Sequence, residues 1–162
     1  MSGAGAPDLS VDASGMRVAI IAGHWHDEVL TPMIEEAQRA VAAAGATSEL
    51  FRVAGAFELP LAAQSALTVG QGDEPRFDAT VCLGVIVRGG TPHFDYVCNA
   101  VTDGLTRVQL DTGRPVGFGV LTVDTEQQAL DRSGRPGAPE SKGREAAEAA
   151  LHLAVTMRAI RG

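Results

Sequence analysis

The chain has 162 residues, 45% of them hydrophobic, and a formal net charge of −7. That length suits one domain with a single well-filled core, and no apolar run approaches the roughly 20 residues of a membrane span. A balance this negative repels a phosphate backbone, so nucleic acid is not an expected partner, although a small anion remains acceptable where positive groups gather.

The start, MSGAGAPDLSVDASG, is small and polar, and residues 1–15 read as a flexible arm ahead of one domain over 16–162. It has neither the basic region nor the apolar stretch of a signal peptide, and a cytoplasmic location is expected. RVAIIAG (17–23) is β-branched and ends in glycine, which predicts a buried strand. Leu30, Met33, Ile34, Ala37, Val41 and Ala44 then recur at helical spacing. Pro32 falls early in that helix and Gly45 closes it. ELFRVAG (49–55) predicts the second strand, and a helical pattern runs from GAFELP through Leu67. FDATVCLGVIV (77–87), apolar on both faces, predicts a central parallel strand. A helix is expected from about 95 to 110, a fourth strand over 115–123, and a short helix over 125–133 capped by Asp124 or Thr125. The loop GRPGAPESKG (134–143) leads to a last helix rich in Ala and Leu. Strands alternating with helices at these lengths predict an α/β fold with a parallel four-stranded sheet covered on both faces. Cys82 and Cys98 lack CxxC spacing and suit reduced thiols.

Ligands of such sheets bind beyond the carboxyl ends of the strands. RGGTPH (88–93) stands at one of these ends. Gly89 and Gly90 can take positive φ and leave backbone N–H groups open. A helix starting near Pro92 turns its positive end to the same space, which makes a phosphate cradle, or else only a tight turn. His93 at its mouth titrates near neutrality and can pass protons both ways. Trp25 ends the first strand and suits stacking on a flat heterocycle; Phe57 and Phe118 offer further apolar walls or core packing. Glu58 is either an acceptor for ligand hydroxyls or a helix-start acid. His24 and His26 flank Trp25, but no third ligand is in reach by spacing, so no metal is expected. Arg132 and Lys142, the only lysine against twelve arginines, could supply charge for an anion.

GAFELP, LGVIVRGGTPHFDYV, the GVLT of the fourth strand, TEQQALDR and SKG, in this order, resemble the lumazine synthase family. The resemblance runs from about residue 17 to the C-terminus. It implies a flavodoxin-like three-layer fold assembled as pentamers, sometimes twelve of them in a shell. It implies the condensation of 5-amino-6-ribitylaminouracil with 3,4-dihydroxy-2-butanone 4-phosphate to 6,7-dimethyl-8-ribityllumazine, without metal or redox cofactor. By position, Trp25 would stack on the pyrimidine, while Ala56, Phe57, Glu58 and the backbone of Val85, Ile86 and Val87 would hold the ring and ribityl chain. Gly90, Thr91 and Arg132 would bind the phosphate, with Gly89 of the same cradle and the Lys142 cation added from the reading of the residues themselves, and His93 would transfer protons. Phe118 and Arg132 would serve the neighbouring subunit's site. The prolines of SGRPGAPES (133–141) predict a loop held out from the surface, and hence pentamers that stay separate.

Overall fold

The computed structural model describes Gly5, residues 7–71 and residues 74–162. In chain order the elements are β1 (Arg17–Gly23), α1 (Asp27–Ala43), β2 (Thr47–Val53), a 3-10 turn (Ala56–Glu58) and α2 (Leu59–Thr68). There follow the two-residue strands β3 (Gly70–Gln71) and β4 (Glu74–Pro75), β5 (Ala79–Val87), α3 (His93–Thr112), β6 (Val116–Val123), α4 (Glu126–Leu130) and α5 (Lys142–Arg161). The main sheet is parallel throughout, in the order β2-β1-β5-β6. β1 and β5 are its inner strands and are buried along nearly their whole length, which is why both are continuous apolar runs. The edge strand β2 is exposed or half-buried throughout.

Two apolar layers sandwich this sheet. On one face α1 and α5 bring Leu30, Met33, Val41, Ala147 and Leu151 against Ile20, Val81 and Leu83. On the other, α2 and α3 bring Leu59, Leu67, Val101 and Leu105 against Ile21 and Cys82. The expected three-layer α/β architecture is therefore present. Small residues let the layers close: a Cβ at Gly117 of β6 would lie 2.5 Å from the Ala146 carbonyl oxygen of α5.

Several boundaries differ from expectation. β2 starts and ends two residues earlier, because its pairing with β1 runs from Arg17↔Thr47 to Gly23↔Val53. β5 starts at Ala79, leaving Phe77 to pack edge-on against Phe51 at 5.8 Å. α3 is longer at both ends, and Gly113 closes it with φ 64°. α4 stops at Leu130, since the chain turns there to let Ser133 bond back to the Leu130 carbonyl. Thr125 is its cap, accepting from the Gln128 N–H. Residues 1–4 and 6 of the expected arm lie outside the described residues; farther on, Ala13 is buried and its N–H donates to the Ala44 carbonyl.

The loop 133–141 is tied at its base and is not a free protrusion. Ser133 and Ser141 form an antiparallel bridge, and Gly134 N–H donates to the Glu140 carbonyl at 3.0 Å. Its tip, Gly137, has φ 84° and nothing packed against it.

Candidate functional site

The sheet dictates where a ligand can enter. β1 pairs with β5 only as far as Ala22↔Leu83, whereas β6 stays paired with β5 to Val87↔Val123. Beyond Leu83, β5 has a strand neighbour on one side alone. This offset lies at the switch point of the sheet, where crossovers from the two inner strands diverge, and a cavity of about 480 Å³ opens there. Its floor is the end of β5, Val85 to Val87. Its walls include Trp25, the Ala56–Glu58 turn, Gly89, Thr91 and His93.

Trp25 projects from the β1–α1 turn and is 70% exposed. Gly55 makes room for it: a Cβ there would sit 3.1 Å from Trp25 Cδ1. The next residue, His26, is the one described non-glycine with positive φ (64°), and its carbonyl accepts from Val29 and Leu30 to open α1. Arg52 ties this turn down from β2 by donating to the Gly23 carbonyl at 2.7 Å and to the Asp27 carboxylate. Phe57 stands 65% exposed on the opposite wall. Glu58 Oε2 accepts from the Gly55 N–H at 2.9 Å, so this acid fastens the start of its own turn while lining the cavity.

The cradle differs in one respect from expectation. Neither Gly89 nor Gly90 has positive φ. Nor would a Cβ at either meet anything within 4 Å, so these glycines serve openness and not a left-handed turn. Gly90 is exposed but does not line the cavity. His93 is the first residue of a helix of 20 residues, so its imidazole stands where the free N–H groups of that helix begin.

Phe118, Arg132 and Lys142 are elsewhere in the chain. Phe118 is 45% exposed on β6 and shares a separate cavity of about 320 Å³ with Lys142 and Glu145. Arg132, two residues past the end of α4, donates to the Gln128 carbonyl and lies 4.0 Å from Glu140. Lys142 Nζ is 2.7 Å from both Glu140 and Glu145. Burial works against the Lys142 ammonium, but its bonds to the two glutamates outweigh that and hold its pKa above the usual lysine value. Glu140 is held below the usual carboxylate range, first by its hydrogen bond from Lys142.

A family model described as 6,7-dimethyl-8-ribityllumazine synthase matches residues 15–158. The chain belongs to that family.

Curated relatives agree along the full length. The 6,7-dimethyl-8-ribityllumazine synthase of Leifsonia xyli subsp. xyli is 57% identical, with 100% of both chains covered. The protein of that name from Clavibacter michiganensis subsp. michiganensis is 52% identical over 100% of this chain and 99% of its own. That of Streptomyces avermitilis is 53% identical over 99% and 97%. Of the residues singled out from the family resemblance, Trp25, Ala56, Phe57, Glu58, Val85, Ile86, Val87, Gly89, Thr91 and His93 surround one cavity. Gly90, Phe118, Arg132 and Lys142 do not line it within one chain. His26, Gly55, Phe94 and Val97 do line it and were not anticipated. For Phe94 and Val97 the signal was available, since a helix beginning at His93 turns His93, Phe94 and Val97 toward one side.

Proposed function

We propose that the chain is a cytoplasmic 6,7-dimethyl-8-ribityllumazine synthase acting at the penultimate step of riboflavin biosynthesis. It condenses 5-amino-6-(D-ribitylamino)uracil with 3,4-dihydroxy-2-butanone 4-phosphate, with release of phosphate and water. The observation that carries this is the meeting of His93, Trp25 and the half-paired end of β5 around one cavity. The indole stacks on the pyrimidine, and the free side of β5 offers main-chain donors and acceptors to the ring and ribityl chain. Glu58 and the backbone of Ala56 and Phe57 complete that wall. The N–H groups of Gly89, Gly90 and Thr91, in the loop that leads into α3, receive the phosphate, with the positive end of that helix behind them.

In the chemistry, the amine of the pyrimidine attacks the ketone of the butanone and water leaves, giving an imine. His93 then takes a proton from the adjacent carbon, the electron pair expels phosphate, and the resulting enol collapses to a ketone. The ribitylamino nitrogen closes on that ketone and a second water leaves. The pyrimidine supplies both nitrogens that react, so no enzyme amine is required, which suits a chain whose sole lysine is held between two glutamates. Holding both substrates in one cavity offsets roughly 7–11 kcal/mol of barrier at best.

Phe118, Arg132 and Lys142 enter this reading through a second copy. Phe118 and Lys142 border a cavity other than the one around His93, and Arg132 borders neither. A homopentamer with sites at its subunit interfaces brings one copy's Phe118 and cations to the next copy's cradle, and closed rings accommodate such head-to-tail contacts. The cytoplasmic assignment draws on two free thiols, of which the buried Cys82 has its pKa pushed up to about 12 by desolvation and is inert. No helix among the described residues is long and apolar enough to cross a membrane.

The test is turnover. Purified protein given both substrates should produce the lumazine absorbance together with one phosphate per product. Absence of both signals refutes the proposal, and riboflavin formed from lumazine alone would assign a different condensation.

A further inference from the structure

We infer that Arg88 is a positioning residue for the phosphate loop, acting as a clamp across its two ends through Asp124 and the first turn of α3. This rests on the reading of residues 89–92 as the phosphate cradle.

That loop has little else to hold it. Residues 88–93 are exposed, and the space beside Gly89 and Gly90 is empty. Main-chain bonds stop on either side: Arg88 N–H donates to the Val123 carbonyl at 2.9 Å, and Asp95 N–H to the Pro92 carbonyl at 3.0 Å. Between them, the N–H groups of Gly89, Gly90 and Thr91 donate to no main-chain carbonyl among the described residues. A glycine pair with free amides is open to an anion but expensive to order.

The Arg88 side chain spans this gap. Its Nε donates to Asp124 Oδ1 at 2.7 Å, just past the end of β6, where the Asp124 N–H is itself held by Gln128 Oε1 at 2.8 Å. Its Nη1 lies 3.7 Å from Asp95 Oδ1, two residues after His93. Its Cζ lies 4.3 Å from the ring centroid of Phe94, which lines the substrate cavity. One planar group thus links the last strand, the first turn of α3 and the cavity wall. A lysine could keep one ion pair but neither the fork nor the stacking. Because Arg88 is already shared between two carboxylates, its charge serves the loop's geometry before it serves a ligand. The pairs are about half exposed, so they add little to global stability.

The experiment compares Arg88→Gln, Arg88→Lys and Asp124→Asn in the full-length protein. A loosened clamp should raise the KM for the butanone phosphate by about tenfold in Arg88→Gln and Asp124→Asn, in keeping with the sensitivity of positioned groups to small displacements. The KM for the pyrimidine and the melting temperature should stay near wild type. Arg88→Lys should recover part of the loss, and the double variant should be no worse than Arg88→Gln alone, since Arg88→Gln already removes the contact that Asp124→Asn strips of its charge. If Arg88 instead bound phosphate itself, Asp124→Asn would release that cation and lower the KM. A lowered or unchanged KM in Asp124→Asn overturns the inference. Calorimetric binding of inorganic phosphate gives a second arm independent of turnover. It should weaken about fivefold in Asp124→Asn, and equal affinity in variant and wild type also overturns the clamp. Lack of turnover by the wild type would refute the proposed reaction while leaving this arm readable.

Discussion

Gly143 of α5 and Met33 of α1 meet backbone to backbone: a Cβ on Gly143 would fall 2.2 Å from the Met33 carbonyl oxygen. Backbone cannot swing aside as a side chain can. Gly143→Ala is therefore expected to destabilise the fold by about 1–3 kcal/mol, the usual cost of overpacking. A urea titration would show it as a lowered midpoint at unchanged slope; an unchanged midpoint would mean that the two helices separate freely.

His93→Ala should leave the fold alone, since the side chain is exposed. Turnover should fall by roughly 10²-fold or less, toward the lower end of what acid–base assistance supplies, because substrate positioning survives. Steady-state kinetics with saturating substrates decides this. An unaltered kcat would remove His93 from the reaction.

Trp25 is the sole tryptophan, so protein emission reports one place. A heterocycle stacked on its exposed face should quench that emission in proportion to occupancy. Titration with a pyrimidine analogue is the check, and constant emission at saturation would place the ring elsewhere.

The Glu140–Lys142 pair sets a pH window. Glu140 titrates below its ordinary value of 4.5 in the folded chain, so its contribution is present above that value and is lost as pH falls through the folded one. Lys142 titrates above its ordinary 10.5, so its contribution is present below that value and is lost as pH rises through the folded one. Glu140→Gln should thus lower stability at pH 7, and the gap to wild type should close on acidification below pH 4.5. Denaturant midpoints along a pH series measure this. A gap that widens with acid would reverse the sign and refute the pairing.

Assembly is expected to stop at the pentamer. The loop 133–141 is bonded at its base and ends in an unpacked tip, so it occupies surface without offering a flat face for another ring. Sedimentation should give a mass near five chains; a mass near sixty would show that this loop does not govern assembly.

Much of this was legible because buried parallel strands are apolar runs and their ends are abrupt. LGVIVRGG marks the end of β5 by chemistry alone, and the loop before His93 followed from it. What escaped had no period. β3 and β4 are two residues each, too short for any alternation. The left-handed His26 carries no mark in its neighbours. Glu140 carries no sequence signal although it faces both Arg132 and Lys142, because the turn that folds it back is closed by the Ser133–Ser141 bridge and not by spacing. The separation of Phe118 and Arg132 from His93 was implied by the family resemblance, whereas that of Lys142 had no sequence signal.

The stagger between β1 and β5 has a consequence for how this pocket could drift or be redesigned. The stretch Gly84–Val87 presents amide groups on the side that β1 leaves uncovered. Every residue except proline carries the same amide there, so point substitutions along β5 would alter the pocket's bulk while leaving its donor and acceptor pattern in place. In the proposed reaction, the share of ring recognition carried by the β5 main chain would thereby be insulated from ordinary mutation along that strand. Changing it would call for sliding one strand past another, and a one-residue slip would turn the apolar faces of β5 inside out.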